Sequence, residues 1–318
     1  MPSPVPFAEI VRSGFVEGRH HGSLVALAGD GTVAWSIGDV ASPILPRSAN
    51  KPLQALAMVE LGLDLPPDLL ALACASHSGE GFHQEGVRRI LAGAGLDETA
   101  LRNVTDHPLD EHAREQAIRA GLPPTRIAMN CSGKHAAMLA TCVLKGWSLD
   151  DYLDPEHPLQ QQIKRVFEEV TGESAYIAVD GCGAPLLSAS LTALARAFAA
   201  LAIASEGPAA RVAEAIRAYP QNVSGTTRDE LALLRAIPGA IGKGGAESVY
   251  AVALPDGRAY ALKTDDGGAR ARPVVMAAAL LRDGIDRLDG VDGDAVRATG
   301  VHSVLGGGRP VGELRALI

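Results

Sequence analysis

The spacing of apolar residues changes twice along this chain, and those two changes constrain the fold more than any other feature. At the start, short β-type runs lie around 15–17, 23–28 and 32–37, the last two separated by Gly29-Asp30-Gly31, which is hairpin chemistry. From Asn50 the period lengthens, with Leu53, Leu56, Ala57, Val59 and Leu61 at helical spacing and Gly62 closing the segment. Further helices are expected over 66–74, 84–91, 111–121, 134–144, 158–170, 185–204, 209–218 and 228–234, mostly with Gly or Pro at their ends. Near the end the period returns to two over 248–254 and 258–263, around Pro255-Asp256-Gly257, and a helix over 274–281 follows. Strands at both ends bracket a helical middle. The expected fold is α/β: an antiparallel sheet built from both chain ends, faced by helices, with a helical lobe inserted. One domain over 1–318 is expected, its sheet lobe about 1–47 and 220–318 and its helical lobe about 48–219.

Composition removes several function classes. The chain has 318 residues, 47% of them apolar and 21% charged, enough for a packed core and unlike a disordered or collagen-like chain. With Lys+Arg 29 against Asp+Glu 37 the net charge is −8, and the basic residues are scattered, so no nucleic-acid partner is expected. The most apolar stretch, 184–204, is interrupted by Ser188, Ser190, Thr192 and Arg196 and reads as a buried helix, with no membrane span. Glu9 and Arg12 stand where a secretory signal would need a basic start and an apolar run, and the four cysteines suggest reduced thiols. The cytoplasm is the expected compartment.

Several segments are dense in reactive side chains. Ser48-x-x-Lys51 places a hydroxyl and an amine one helical turn apart where strand gives way to helix. Such a lysine becomes a base only when burial or nearby cations lower its pKa from about 10.4, and only then is the serine activated. The plainer reading is a helix cap beside a solvated lysine. Ser76-His77-Ser78-Gly79-Glu80 ends a helical pattern in a polar turn that presents hydroxyls and N–H donors, or simply caps. Asn130-Cys131-Ser132-Gly133-Lys134-His135 opens one helix, and Asp180-Gly181-Cys182-Gly183-Ala184-Pro185 joins a β run to another; helix N-termini favour anions and lower thiol pKa values. Cys131-x-x-Lys134 with Cys182 matches no ordinary zinc spacing, so buried structural cysteines are the plainer reading. His77 and His83 around Glu80 read as loop and surface residues. Gly242-Lys243-Gly244-Gly245 lacks the phosphate-loop frame and reads as a flexible turn with an exposed lysine, while Lys263 reads as a solvated strand end.

Taken together, 47–52, 76–80, 129–135, 180–185, 223–229 and 243–247 resemble, in order and over nearly the whole chain, the asparaginase II family of rhizobial-type L-asparaginases. That resemblance implies a fold similar to serine β-lactamases and glutaminases, and hydrolysis of L-asparagine to L-aspartate and ammonia through an acyl-serine. It assigns Ser48 as nucleophile and Lys51 as its base, with Ser78 and a second lysine as a supporting pair. Ser76 stays open for that role; Lys243 is favoured as the second lysine and Lys263 is kept as the alternative. It further implies a zinc ion (Zn2+) held by Cys131, Lys134 and Cys182, orienting the substrate rather than activating water, and a homodimer. A small zwitterion needs separate handles: Arg47 suits its carboxylate, Asp180 its ammonium, and His135 a further polar contact. The glycine-rich 305–309 departs from the family, where an asparagine is expected. Competing readings are a Ser-x-x-Lys hydrolase of the β-lactamase or glutaminase type, and a non-catalytic zinc-dependent amino-acid binder.

Overall fold

The computed structural model describes residues 5–318. Its strands are β1 (Pro6–Arg12), β2 (Phe15–Leu27), β3 (Val33–Ile37), β4 (Pro43–Ile44), β5 (Ile177–Val179), β6 (Pro185–Leu187), β7 (Ala189–Ser190), β8 (Ile241–Gly245), β9 (Val249–Ala253), β10 (Ala259–Thr264), β11 (Ser303–Gly306) and β12 (Arg309–Ala316). The helices are α1 (Lys51–Glu60), α2 (Pro67–Ala73), α3 (Gly81–Gly93), α4 (Glu111–Arg119), α5 (Ser132–Lys145), α6 (Pro158–Thr171), α7 (Leu191–Ile203), α8 (Gly207–Ala218), α9 (Pro220–Val223), α10 (Asp229–Ala236), α11 (Ala271–Arg282) and α12 (Gly293–Thr299). None of them is long and apolar enough to cross a membrane.

Contacts divide the chain into two compact units, one of 1–49, 189–203 and 232–318, the other of 50–188 and 204–231. The first holds an eight-stranded sheet in the order β11-β12-β1-β2-β10-β9-β8, with β3 also paired to β2. The neighbouring strands of this sheet pair antiparallel, and β1 meets β12 with Ala8 opposite Ala316, so the expected sheet built from both chain ends is what forms. Glu9 is buried in that join and lies opposite both Arg315 and Arg19. Its carboxylate accepts from Arg315 Nε at 2.6 Å and lies 3.8 Å from Arg19 Nε, which fixes the register by charge. Gly29-Asp30-Gly31 joins β2 to β3, and the 255–257 turn joins β9 to β10, as expected. The glycine-rich 305–309 is the β11–β12 hairpin, where Gly307 and Gly308 both have positive φ (56° and 76°), the backbone a tight two-residue turn demands.

The expected helix over 185–204 is a correction. Residues 185–187 are β6, 189–190 are β7, and the helix begins only at Leu191. Residues 185–187 are taken up in pairing with β5, Val179 opposite Pro185 and Ile177 opposite Leu187, and the serines bond locally: Ser188 Oγ accepts from Tyr176 N and Ser190 Oγ from Ala193 N, at the start of α7. The helix, α7, packs on β2, β9 and β10 and belongs to the sheet unit. Its buried face of Leu191, Leu194, Ala195, Phe198 and Leu201 explains why the sequence is so apolar there. In the second unit α1 packs on α5, α6 and α8, and α2 on α3, α5 and α8.

Candidate active site

In the sheet unit, β4 ends at a short helical turn, Arg47–Asn50, that runs directly into α1 at Lys51. Arg47 has a left-handed backbone (φ 51°), and Ala49 N donates to Pro46 O at 3.0 Å. The end of β8 lies against this turn. A Cβ on Gly245 would sit 2.6 Å from Pro46 O and 3.2 Å from Ser48 N, so only glycine allows the strand this close to the serine. Lys243 is wholly buried, paired in register with Ala251, and its Nζ donates to Gly244 O at 2.6 Å. The expected flexible turn with an exposed lysine is therefore wrong: the flanking apolar residues and the β9 pairing make it a strand.

Lys263 is not a solvated strand end either. Its Nζ donates to Glu247 O at 3.0 Å and Thr264 O at 2.8 Å. Burial lowers its pKa, against the opposing pull of Glu247, Asp265 and Asp266.

In the helical unit, Lys51 is 1% exposed, and its amine contacts Ala75 O at 2.7 Å, Ser76 Oγ at 2.9 Å and Cys131 Sγ at 3.1 Å. It is no solvated first-turn residue. The hydroxyl held against this lysine belongs to Ser76, whereas Ser78 Oγ donates to Ser224 O at 2.9 Å. Gly225, at φ 148°, packs so tightly on Ser78 that any side chain there would overlap the hydroxyl. Beside it Thr226 donates from N and Oγ1 to Glu80, and Arg228 donates to Ser76 O at 3.2 Å. The segments 76–80 and 223–229 thus form one hydrogen-bonded assembly. Both ring nitrogens of His77 are engaged: Nδ1 accepts from Gly79 N and Nε2 meets Ser132 Oγ at 2.9 Å. Both His77 and His83 are buried, contrary to the expectation of surface residues.

Cys131 caps the start of α5, as expected, while Cys182 sits at the tip of the β5–β6 hairpin and at no helix end. That hairpin is closed by Asp180 N to Ala184 O at 2.9 Å and Gly183 N to Asp180 O at 2.8 Å. Donor atoms of Cys131, Asp180 and Cys182 lie within 4.8 Å of one another, and Lys134 Nζ is 3.3 Å from Cys182 Sγ. Charge falls on the cysteine that lacks the helix dipole. The hydrogen bond from Cys131 holds Cys182 far below the usual thiol range against burial, with Lys134 and His135 assisting, and the Cys131 thiol is pushed up in return by that bond and by burial. Burial opposes the Lys134 ammonium, yet the two sulfurs and Asp180 together raise its pKa. His135 donates to or accepts from Tyr152 Oη through Nδ1 at 2.8 Å, and burial lowers its pKa. The two sulfurs, with Asp180 beside them and the Lys134 amine once it gives up its proton, are a donor set that fits zinc.

The sequence reading missed the hairpin setting of Cys182, the contact of Ser76 with Lys51, and Tyr152 beneath His135. Only the Gly183 turn residue before Pro185 hinted at the first of these.

Among solved structures the chain is similar to Mglu in its native form (16% identity, TM-score 0.44, 85% of this chain and 65% of that one). It is also similar to a beta-lactamase from Mycobacterium bovis (16% identity, TM-score 0.40, 82% and 94%) and to EstCE1, a hydrolase with promiscuous acyltransferase activity (13%, 0.37, 83% and 90%). The chain thus spans about two thirds of the length of Mglu. No curated protein matches the sequence. The family model for L-asparaginase II matches residues 8–316, nearly every residue in which these motifs are spread, and the chain belongs to that family.

Proposed function

We propose that this protein is an amidohydrolase that converts L-asparagine to L-aspartate and ammonia through an acyl-serine intermediate. The observation that carries this reading is the burial of Lys51, the lysine one turn after Ser48 on a continuous helical run. The amine lies among groups that can exchange a proton with it, the Ser76 hydroxyl and the Cys131 thiol, as a general base for the serine needs.

Ser48 Oγ attacks the side-chain amide carbon and passes its proton to the Lys51 amine. The amine as a neutral base donates to Ala75 O and accepts from the Ser76 hydroxyl; as a cation it donates to both, the hydroxyl rotating between the two states. The proton then goes to the leaving ammonia, and a water molecule attacks the ester with Lys51 again as base. Lys243, beside the Ser48 turn, is the favoured second lysine, and Ser78 or Ser76 its supporting hydroxyl. Arg47 takes the substrate carboxylate and Asp180 its ammonium, with His135 adding a further polar contact. Zinc held by Cys131, Lys134 and Cys182 would supply a fixed positive charge that orients the substrate. The family resemblance further suggests a cytoplasmic homodimer.

Ammonia release from L-asparagine and L-glutamine tests the reading. We expect turnover of asparagine that falls by roughly 10³-fold or more in Ser48→Ala. Full release by that variant would overturn the mechanism, and tight asparagine binding without turnover by the unaltered protein would make it a binder.

A further inference from the structure

Backbone strain in the sheet unit is concentrated at one place. Ser13, Arg47, Glu247 and Ser248 are the non-glycine residues with positive φ among the described residues, and the last three belong to one cluster. Arg47 and Glu247 form an ion pair, NH1 to Oε1, at 3.7 Å. Lys263 holds the Glu247 carbonyl at 3.0 Å, and Ser248 Oγ meets Thr264 Oγ1 at 2.9 Å. The Glu247 carboxylate rests on Gly267 (φ 72°), where a Cβ would collide with it.

An exposed ion pair at this distance contributes little to stability, far less than two consecutive left-handed residues cost. Strain kept at such a spot is a device for aiming a side chain. We infer that Glu247 is a positioning residue: held at its carbonyl by Lys263 and packed at its carboxylate against Gly267, it holds the Arg47 guanidinium through their ion pair in the orientation that takes the substrate carboxylate. This rests on the role proposed above for Arg47. It gives Lys263 a mechanical duty through Glu247 and leaves proton transfer to Lys51 and Lys243.

Steady-state kinetics of the unaltered protein, Glu247→Gln and Gly267→Ala test it, with L-asparagine as substrate. The control ligand, assayed as substrate or competitive inhibitor, is 3-aminopropanamide, which keeps the amide and the ammonium but lacks the α-carboxylate. We expect KM for asparagine to rise about tenfold in both variants with kcat within about threefold, and the constant for 3-aminopropanamide to stay put. An unchanged KM, or an equal rise for both ligands, overturns the inference while leaving the proposed function intact. Absence of asparagine turnover in the unaltered protein overturns both. Glu247→Gln is nearly isosteric at a half-exposed position, so misfolding does not confuse the result, and its agreement with Gly267→Ala separates aiming from charge alone.

Discussion

The two units use buried lysines differently. In the helical unit Lys51 and Lys134 meet a hydroxyl and two sulfurs, groups that accept, share or surrender protons. In the sheet unit the buried Lys243 donates to Gly244 O and the half-buried Lys263 to Glu247 O and Thr264 O, carbonyls of the kind that Lys51 also meets at Ala75. A thiol or hydroxyl can exchange a proton with the amine it touches, whereas a backbone carbonyl can only accept the amine's hydrogen bond. The comparison teaches that the partner of a buried amine says more about its task than its burial does.

That contrast makes an ordered set of expectations. The largest effect belongs to Lys51→Met, which should lower kcat for asparagine by roughly 10³-fold; comparable losses in Lys263→Met would erase the distinction between the units. Next comes the metal. Elemental analysis should find one zinc per chain, and Cys182→Ala should weaken its retention against a chelator by about 100-fold, with Asp180→Asn nearer tenfold. Equal zinc content in all three proteins would remove the ion from the account.

Acid should separate the units too. Burial lowers the pKa of His83 from 6.5 to about 4, although the Gln221 carbonyl and Glu80 oppose it, and His77 is lowered further by burial, His83 and Lys51. Both rings are neutral when folded, so between pH 6.5 and 4 the unfolded chain takes up protons the native one refuses. Stability present above pH 6.5 is lost as pH falls through that window, by about 3 kcal/mol for His83. Urea midpoints at pH 7 and 4.5 check this, and His83→Gln should flatten the slope. Hydrogen exchange should show α3 and α9 losing protection before the sheet; the reverse order would contradict the assignment. The smallest effect is Glu9→Gln, which should cost about 1 kcal/mol at pH 7, because its arginine partners are half exposed.

The sheet and most helices were legible because apolar period and Gly-containing turns are local signals. The join of β1 to β12 escaped because it pairs residues about three hundred positions apart, which no local pattern shows, whereas β11 and β12 form a local hairpin whose glycine turn the sequence does carry. At the site, Ser48 and Lys51 gave only a weak Ser-x-x-Lys signal and the two cysteines no metal spacing, so their roles came from the family resemblance. What could not be read was direction: that Lys51 turns to Ser76 and Cys131, that Cys182 takes the charge from the cysteine favoured by the helix dipole, and that Lys243 is buried. Each depends on a tertiary neighbour from another segment. The apolar run over 185–204 misled because its first residues pair with β5 and β4, partners that the local pattern does not show, and only the part from Leu191 is helical.

The Ala8 to Ala316 pairing has a consequence for biosynthesis. As the polypeptide leaves the ribosome, residues 50–188 and 204–231 are all made before β10, the partner of β2, and β12, the partner of β1. The opening hairpin therefore waits, its outer edges unsatisfied, until the last segment is translated. Chaperone dependence should accordingly follow the length of that wait, and a circular permutant that brings β12 ahead of β1 should shorten it.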